Sequence, residues 1–89
     1  MTVREYLMRD GRTPKYIGFT YLADAIEIAL QRDACPFTMD ADILPILAEK
    51  YGKAHPTFLQ AMQRAIKTSK RTKDVHEYIY LAKFRLGED

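Results

Sequence analysis

Residues 53–73, KAHPTFLQAMQRAIKTSKRTK, hold six lysines and arginines and no aspartate or glutamate. The solvent face of an ordinary helix alternates lysine with glutamate, because pairs of opposite charge four residues apart stabilise it. A stretch of cations and amides without carboxylates is instead suited to bind an anion. It predicts contact with phosphates, and the alternative is a solvated basic face that has no partner.

The basic character belongs to one half of the chain. Residues 1–50 carry six cations and eight carboxylates, whereas residues 51–89 carry eight cations and four carboxylates. Such an excess indicates nucleic acid only if the cations lie together on one face. Whether the cations share one face therefore depends on the helices that carry them.

Composition limits the class of protein. The 89 residues suffice for one domain, and 47% hydrophobic with 29% charged residues is typical of a globular protein rather than a disordered one. No apolar run approaches the roughly 20 residues of a membrane span, and the N-terminus lacks the apolar core of a signal peptide. The single cysteine, Cys35, cannot form an internal disulfide. We expect a cytoplasmic protein without membrane contact, in which Cys35 is a small core residue.

Apolar periodicity predicts an all-α fold, a compact bundle of about five helices in one domain over residues 1–89. Thr2 with Glu5 and Asp74 with Glu77 have the spacing of capping boxes and predict the starts of the first and last helices. The predicted helices are one that ends before Gly11, one over residues 20–32, one from its cap at Asp40 to Tyr51, one over about 56–70, and one over 74–86.

The third and fourth predicted helices are joined by about four residues around Gly52, which is the layout of a helix-turn-helix over residues 40–70. In that motif the second helix, here about 56–70, enters the major groove of double-stranded DNA. Glutamine and arginine make bidentate contacts with adenine and guanine respectively. The predicted base-reading residues are Thr57, Gln60, Gln63 and Arg64. The predicted phosphate-binding residues are Lys53, Lys67, Lys70, Arg71 and Lys73.

Three segments resemble a known family in matching register. "GFTYLADAI", "LPILAEKY" and "AMQRAI" are similar to motifs in the C-terminal DNA-binding effector domain of the master sporulation response regulator of endospore-forming bacteria. The resemblance covers about residues 5–67, and more loosely "HEYIYLAKFRL". It implies a helical DNA-binding domain that acts in bacterial transcription regulation.

The chain also departs from that family. One residue is missing between Pro14 and Gly18, and the segment before the last helix is much shorter than the family's. Gln60 and Gln63 stand where the family tends to carry arginines, which implies a different DNA sequence. The family's N-terminal receiver domain is absent, which implies a stand-alone relative or an excised fragment.

No enzyme is predicted, and neither a catalytic residue, a metal site nor a cofactor. His55 and His76 lie twenty-one residues apart, without metal-ligand spacing to each other or to Cys35. Asp40 and Asp42 could coordinate a cation, but a role at a helix N-terminus explains them more simply.

Two functions follow from these patterns. The first is a sequence-specific DNA-binding transcription regulator. The alternative is a protein-protein interaction module on the same scaffold that has lost DNA reading. In the last predicted helix, Tyr80, Leu81 and Phe84 widen the apolar surface, so that helix is either clamped between two others or meets a second chain. The second case predicts a homodimer, or tandem binding on DNA, through residues 74–86.

Overall fold

The computed structural model describes residues 1–87, which form six α-helices and no strand. The helices are α1 (Val3–Arg9), α2 (Ile17–Arg32), α3 (Met39–Asp42), α4 (Leu44–Tyr51), α5 (His55–Ala65) and α6 (Val75–Gly87), with a 3₁₀ turn over Pro36–Thr38. The predicted all-α fold is confirmed, with six α-helices rather than about five. None of these helices has both the length and the apolar character that crossing a membrane requires.

α2 lies at the centre of the bundle and contacts α1, α4, α5 and α6. Its inner face is fully buried and consists of Leu22, Ala25, Ile26 and Ala29. These positions recur at helical spacing, as the periodicity predicted. The helix begins at Ile17, three residues before the predicted start at Thr20, because Gly18 and Phe19 are buried in its first turn.

α2 and α5 come into backbone contact at Gly18. A Cβ atom on Gly18 would lie 2.1 Å from the carbonyl oxygen of Ala61 and 2.9 Å from the Cβ of Ala65. The first distance is far inside van der Waals contact, so only glycine fits between the two helices. This contact fixes the position of α5 on α2.

The helix predicted over residues 40–51 is divided in two at Ile43. Pro45 has no amide hydrogen and disfavours helical geometry in the residue before it, so the chain begins a new helix around it. The prediction that Asp40 caps this helix is wrong. Asp40 lies inside α3, whose N-cap is Thr38.

Side-chain caps start the first and last helices, as predicted, but only α1 has the complete capping box, because the Asp74 amide donates to Thr72 Oγ1 rather than to the Glu77 side chain. The Thr2 amide donates to Glu5 Oε1 at 3.2 Å, and the Glu5 amide donates to Thr2 Oγ1 at 3.1 Å, which completes the capping box of α1. At α6, Asp74 Oδ1 accepts from the amides of His76 at 2.8 Å and Glu77 at 3.3 Å. Each cap satisfies amide groups that have no partner inside the helix.

Cys35 is exposed in the connection between α2 and the 3₁₀ turn, so its prediction as a core residue is wrong. Its carbonyl oxygen accepts the Thr38 hydroxyl at 3.0 Å and the Thr38 amide at 3.1 Å. These bonds hold Cys35 at the N-cap of the turn, outside the core.

Replacing Gly18 by alanine is expected to lower the free energy of unfolding by about 2–3 kcal/mol, because the new methyl group overlaps the Ala61 carbonyl and must push α5 away. Urea unfolding followed by circular dichroism measures this change. The matched control is Gly87→Ala in α6, where the nearest atom outside the local backbone is Leu30 Cδ2 at 3.9 Å. Equal stability of the two variants would contradict the role of Gly18.

Candidate nucleic-acid interface

α4 and α5 pack against each other and are joined by residues 52–54. Gly52 ends α4 in the left-handed region, with φ of 66°, and its amide donates to the carbonyl of Ala48 at 2.8 Å. Pro56 lies in the first turn of α5, where a missing amide hydrogen removes no helical bond. The turn that Gly52 and Pro56 predicted is confirmed as a tight connection between two short helices.

The end of α4 is held against both α2 and α5. The ring of Tyr21 packs edge-on against Tyr51 at 5.1 Å and against Phe58 at 4.8 Å between centroids. The Tyr51 hydroxyl donates to the Asp24 carboxylate, which also accepts Lys50 Nζ at 3.1 Å. The bond to Asp24 raises the pKa of Lys50, so this ammonium stays charged. Aromatic packing and these bonds therefore orient α4 relative to the helices behind it.

α5 has one buried side and one exposed side. Phe58, Met62 and Ala65 are buried in the core. The exposed side carries all four predicted base-reading residues, Thr57, Gln60, Gln63 and Arg64. The structure thus confirms that these polar residues face away from the apolar stripe. Gln60, Gln63 and Arg64 also line one open groove together with Lys67.

α5 ends at Ala65, so the helix predicted over about 56–70 is too long. Beyond it the backbone forms a turn, in which the Ser69 amide donates to the Ile66 carbonyl at 2.9 Å. The Ala65 carbonyl, which would accept from Ser69 in a longer helix, instead accepts Arg12 Nη1 at 2.9 Å. Lys67 and Lys70 consequently lie in the loop over residues 66–74, which we call the basic loop.

Arg12 connects the start of the chain to the end of α5. Its residue is only 6% exposed, and its guanidinium also donates to Thr68 Oγ1 at 3.2 Å and to the Asp10 carbonyl at 3.0 Å. Sequence patterning did not single out Arg12, because Ala65 and Thr68 are more than fifty residues away along the chain. Near Arg12 itself, the sequence shows only that a cation lies in the turn that contains Gly11.

The Asp10 carboxylate fixes the basic loop to α1 and α6. Asp10 Oδ1 lies 3.1 Å from Arg71 Nε, and Oδ2 accepts the Tyr78 hydroxyl at 2.6 Å. Arg71 Nη1 also donates to the Tyr6 hydroxyl at 2.9 Å. Burial and the bond to Asp10 raise the pKa of Tyr78, and burial raises the pKa of Tyr6, so both phenols stay protonated. This arrangement holds Arg71 against the domain.

The predicted phosphate-binding cations differ in what they contact. Arg71 pairs with Asp10, and Lys73 Nζ donates to the carbonyls of Lys67 at 2.7 Å and Ser69 at 3.1 Å. Within residues 1–87, no carboxylate lies within 4 Å of the ammonium groups of the other three, Lys53, Lys67 and Lys70. These three are exposed, with Lys53 before the N-terminus of α5 and the other two after its C-terminus.

The histidines do not form part of a metal centre in the described chain. Across residues 1–87, no group of three or more histidine, cysteine, aspartate or glutamate side chains is placed to hold a metal ion. His76 Nδ1 lies 3.3 Å from Asp74 Oδ1, the atom that also caps α6. This pair thus belongs to the start of α6.

No known protein family, curated protein or solved structure matches the chain. The function is therefore argued from the residues of this chain and their arrangement.

Replacing Arg12 by leucine is expected to lower the free energy of unfolding by about 3 kcal/mol, since the change leaves the buried Ala65 carbonyl without its donor and removes a cation from beside the Asp10 carboxylate. Arg12→Lys keeps the charge but cannot reach three acceptors at once, so an intermediate loss is expected. The measurement is urea unfolding, with Arg9→Leu on the exposed side of α1 as the control. A loss no larger than that of Arg9→Leu would contradict the anchoring role of Arg12.

Proposed function

We propose that this protein is a sequence-specific double-stranded DNA-binding transcription regulator. α4 and α5 act as a helix-turn-helix, and α5 enters the major groove. The observation that carries the proposal is the exposed side of α5, which combines amides and a guanidinium without a carboxylate.

The dimensions of α5 suit this role. A helix with its side chains is about 10–12 Å wide, and the major groove of B-form DNA is about 12 Å wide. Glutamine donates to and accepts from adenine, and arginine donates to the two acceptors of guanine. Gln60, Gln63 and Arg64 are exposed side by side on α5, so all three can meet base edges from one docked position.

The exposed cations support the same docking of α5 in the major groove. Lys53 precedes α5, and Lys67 and Lys70 follow it, so positive charge flanks the reading helix at both ends. In a docked complex, both ends of such a helix approach the phosphate backbones that border the groove. Arg71 and Lys73 have partners within the domain, so we assign them mainly to shaping the basic loop.

The resemblance to the sporulation regulator's effector domain agrees with this proposal. The first residue of the "GFTYLADAI" segment is Gly18, where α2 meets α5, and "AMQRAI" supplies both the buried and the exposed sides of α5. The resemblance therefore lies in residues that position the reading helix. We accordingly propose a bacterial regulator related to that domain, acting in the cytoplasm without a cofactor or catalysis.

A protein-protein interaction module remains the alternative function. The observation that favours it is the exposure of three aromatic side chains, Phe37, Tyr80 and Phe84. An interaction module would bind its partner through such a surface and would not need the cations around α5.

Base reading by α5 predicts a difference between variants. Arg64→Ala and Gln60→Ala should each weaken binding to a preferred site by about 1–3 kcal/mol, and weaken binding to random duplex much less. Lys70→Ala should weaken both complexes about equally, because phosphates are the same in every sequence. The preferred site is selected from randomised duplexes, and affinities are measured by fluorescence anisotropy.

The matched control is Arg32→Ala, which removes an exposed cation at the end of α2 opposite to the α5 contact. It should leave both affinities unchanged. If Arg64→Ala and Lys70→Ala behave alike on every duplex, α5 is an electrostatic surface only. If the purified chain binds no duplex, the interaction module becomes the better assignment.

Phosphate contact predicts a steep dependence of binding on salt. Affinity for duplex DNA should fall strongly between about 50 and 200 mM salt, and each of Lys53→Ala, Lys67→Ala and Lys70→Ala should reduce the slope of log K against log salt by about one. The slope should be unchanged by Lys83→Ala, because Lys83 bonds to Asp33 at the far end of α2. Binding that does not depend on salt would contradict the proposed interface.

A further inference from the structure

The connection between α1 and α2 is held against α5 at both of its ends. At its start, Arg12 Nη1 donates to the Ala65 carbonyl at 2.9 Å. At its end, Gly18 lies so close to α5 that a Cβ atom on it would be 2.1 Å from the Ala61 carbonyl oxygen. Residues 13–17, between these two contacts, are all exposed. We call residues 13–17 the flanking segment.

The two contacts place the flanking segment along one side of α5. Ala61 and Ala65 are four residues apart and therefore lie on one line along the helix. Thr57 continues this line toward the start of α5, and Arg64, three residues after Ala61, borders it. Ala61 is partly exposed, whereas Ala65 is buried. The flanking segment thus lies at the boundary between the buried side of α5 and its proposed base-reading side.

Backbone hydrogen bonds give the flanking segment a defined shape. The Lys15 amide donates to Thr13 Oγ1 at 3.3 Å, and the Tyr16 amide donates to the Thr13 carbonyl at 3.4 Å. Pro14 restricts its own backbone φ to about −65°. The Tyr16 carbonyl then accepts the Phe19 amide at 3.0 Å, at the start of α2. The segment is therefore an ordered turn, and a partner that binds it does not have to order it first.

The charge of the flanking segment favours an anionic partner. The sequence has no aspartate or glutamate between Asp10 and Asp24. Within residues 1–87, no carboxylate lies within 4 Å of Lys15 Nζ. This ammonium lies 6.0 Å from the centroid of the Tyr16 ring, and Tyr16 is 44% exposed. An ammonium and a phenol hydroxyl are thus exposed side by side, and both groups donate to phosphate oxygens.

The width of the major groove determines which part of DNA the flanking segment can reach. A helix with its side chains is about 10–12 Å wide, and the groove is about 12 Å wide, so a docked α5 fills the groove from wall to wall. An element that packs on the side of α5 does not fit into the groove beside it. Such an element lies over the phosphate backbone that borders the groove.

We propose that the flanking segment is a second DNA-binding element, in which Lys15 Nζ and the Tyr16 hydroxyl donate to phosphates along one edge of the groove. This inference rests on the proposed function, because only a docked α5 brings that backbone to the segment. It adds a contact along the side of α5, whereas Lys53, Lys67 and Lys70 lie at the two ends of the helix.

The affinity of Lys15 variants tests the phosphate contact. Lys15→Ala should weaken binding to the preferred site and to random duplex about equally, by about five- to tenfold at about 0.1 M salt, and lower the slope of log K against log salt by about one. Lys15→Glu should weaken both complexes further, because a carboxylate repels phosphate. Tyr16→Phe, which removes only the hydroxyl, should cost about two- to threefold. The matched control is Arg32→Ala, at the opposite end of α2, which should change neither affinity.

Directed cleavage of the DNA backbone locates the segment in the complex. An iron–EDTA reagent is attached to Tyr16→Cys in a Cys35→Ser background, and the hydroxyl radicals that it generates cut nearby deoxyribose. Cuts are expected along the edge of the selected site. Lys53→Cys, before the N-terminus of α5, reports whether α5 docks at all, and Arg32→Cys should give no cuts.

The two experiments separate failure of this inference from failure of the proposed function. Cuts from Lys53→Cys without cuts from Tyr16→Cys would overturn the flanking segment and leave base reading by α5 intact. Wild-type affinity and salt slope for Lys15→Ala, beside a loss for Lys70→Ala, would do the same. If the wild-type chain binds no duplex and neither position gives cuts, the proposed function fails, and this inference fails with it.

Discussion

The backbone contact between α2 and α5 at Gly18 determines how the outer side of α5 is presented. Because a glycine faces the Ala61 carbonyl, the two helices lie closer than any side chain would allow. α5 has only three turns, so a small tilt would change the direction of every exposed residue on it. The aromatic packing of Tyr21 against Tyr51 and Phe58 adds a second fixed point, at the opposite end of the same short helix.

The buried Arg12 guanidinium is the second constraint, and it belongs to one of two groups into which contacts within the domain divide the cations. Arg12 and Arg71 contact acceptors inside the domain and hold α1, α6 and the basic loop together. The Arg12 guanidinium is removed from water and is therefore stabilised only while its acceptors remain in place. The exposed lysines that flank α5, Lys53, Lys67 and Lys70, have no carboxylate partner within residues 1–87. Their charge remains at the surface, where an external anion can bind.

The two candidate binding surfaces lie on different elements and have different physical character. One consists of α5 and the basic loop and is polar and cationic. The other consists of the second half of α6 and the 3₁₀ turn and is aromatic, and Lys83, which lies beside its rings, bonds to Asp33. Since they share no residue, occupation of one surface does not block the other.

The sequence alone determined the features that depend on neighbouring residues. Helical periodicity predicted the all-α fold, and the spacing of polar residues predicted the caps at Thr2 and Asp74. The spacing of apolar residues in α5 also separated its buried side from its exposed side. Each of these features is set by residues within two turns of a helix. What only the tertiary structure decided involves partners far apart in the chain. The end of α5 at Ala65 depends on Arg12, and the engagement of Arg71 depends on Asp10. Tyr80 and Phe84 lie exposed because no other described element covers that side of α6, which periodicity cannot foresee. Such contacts are decided by how the helices pack, since no local pattern records which distant residue will satisfy a carbonyl, a carboxylate or an apolar ring.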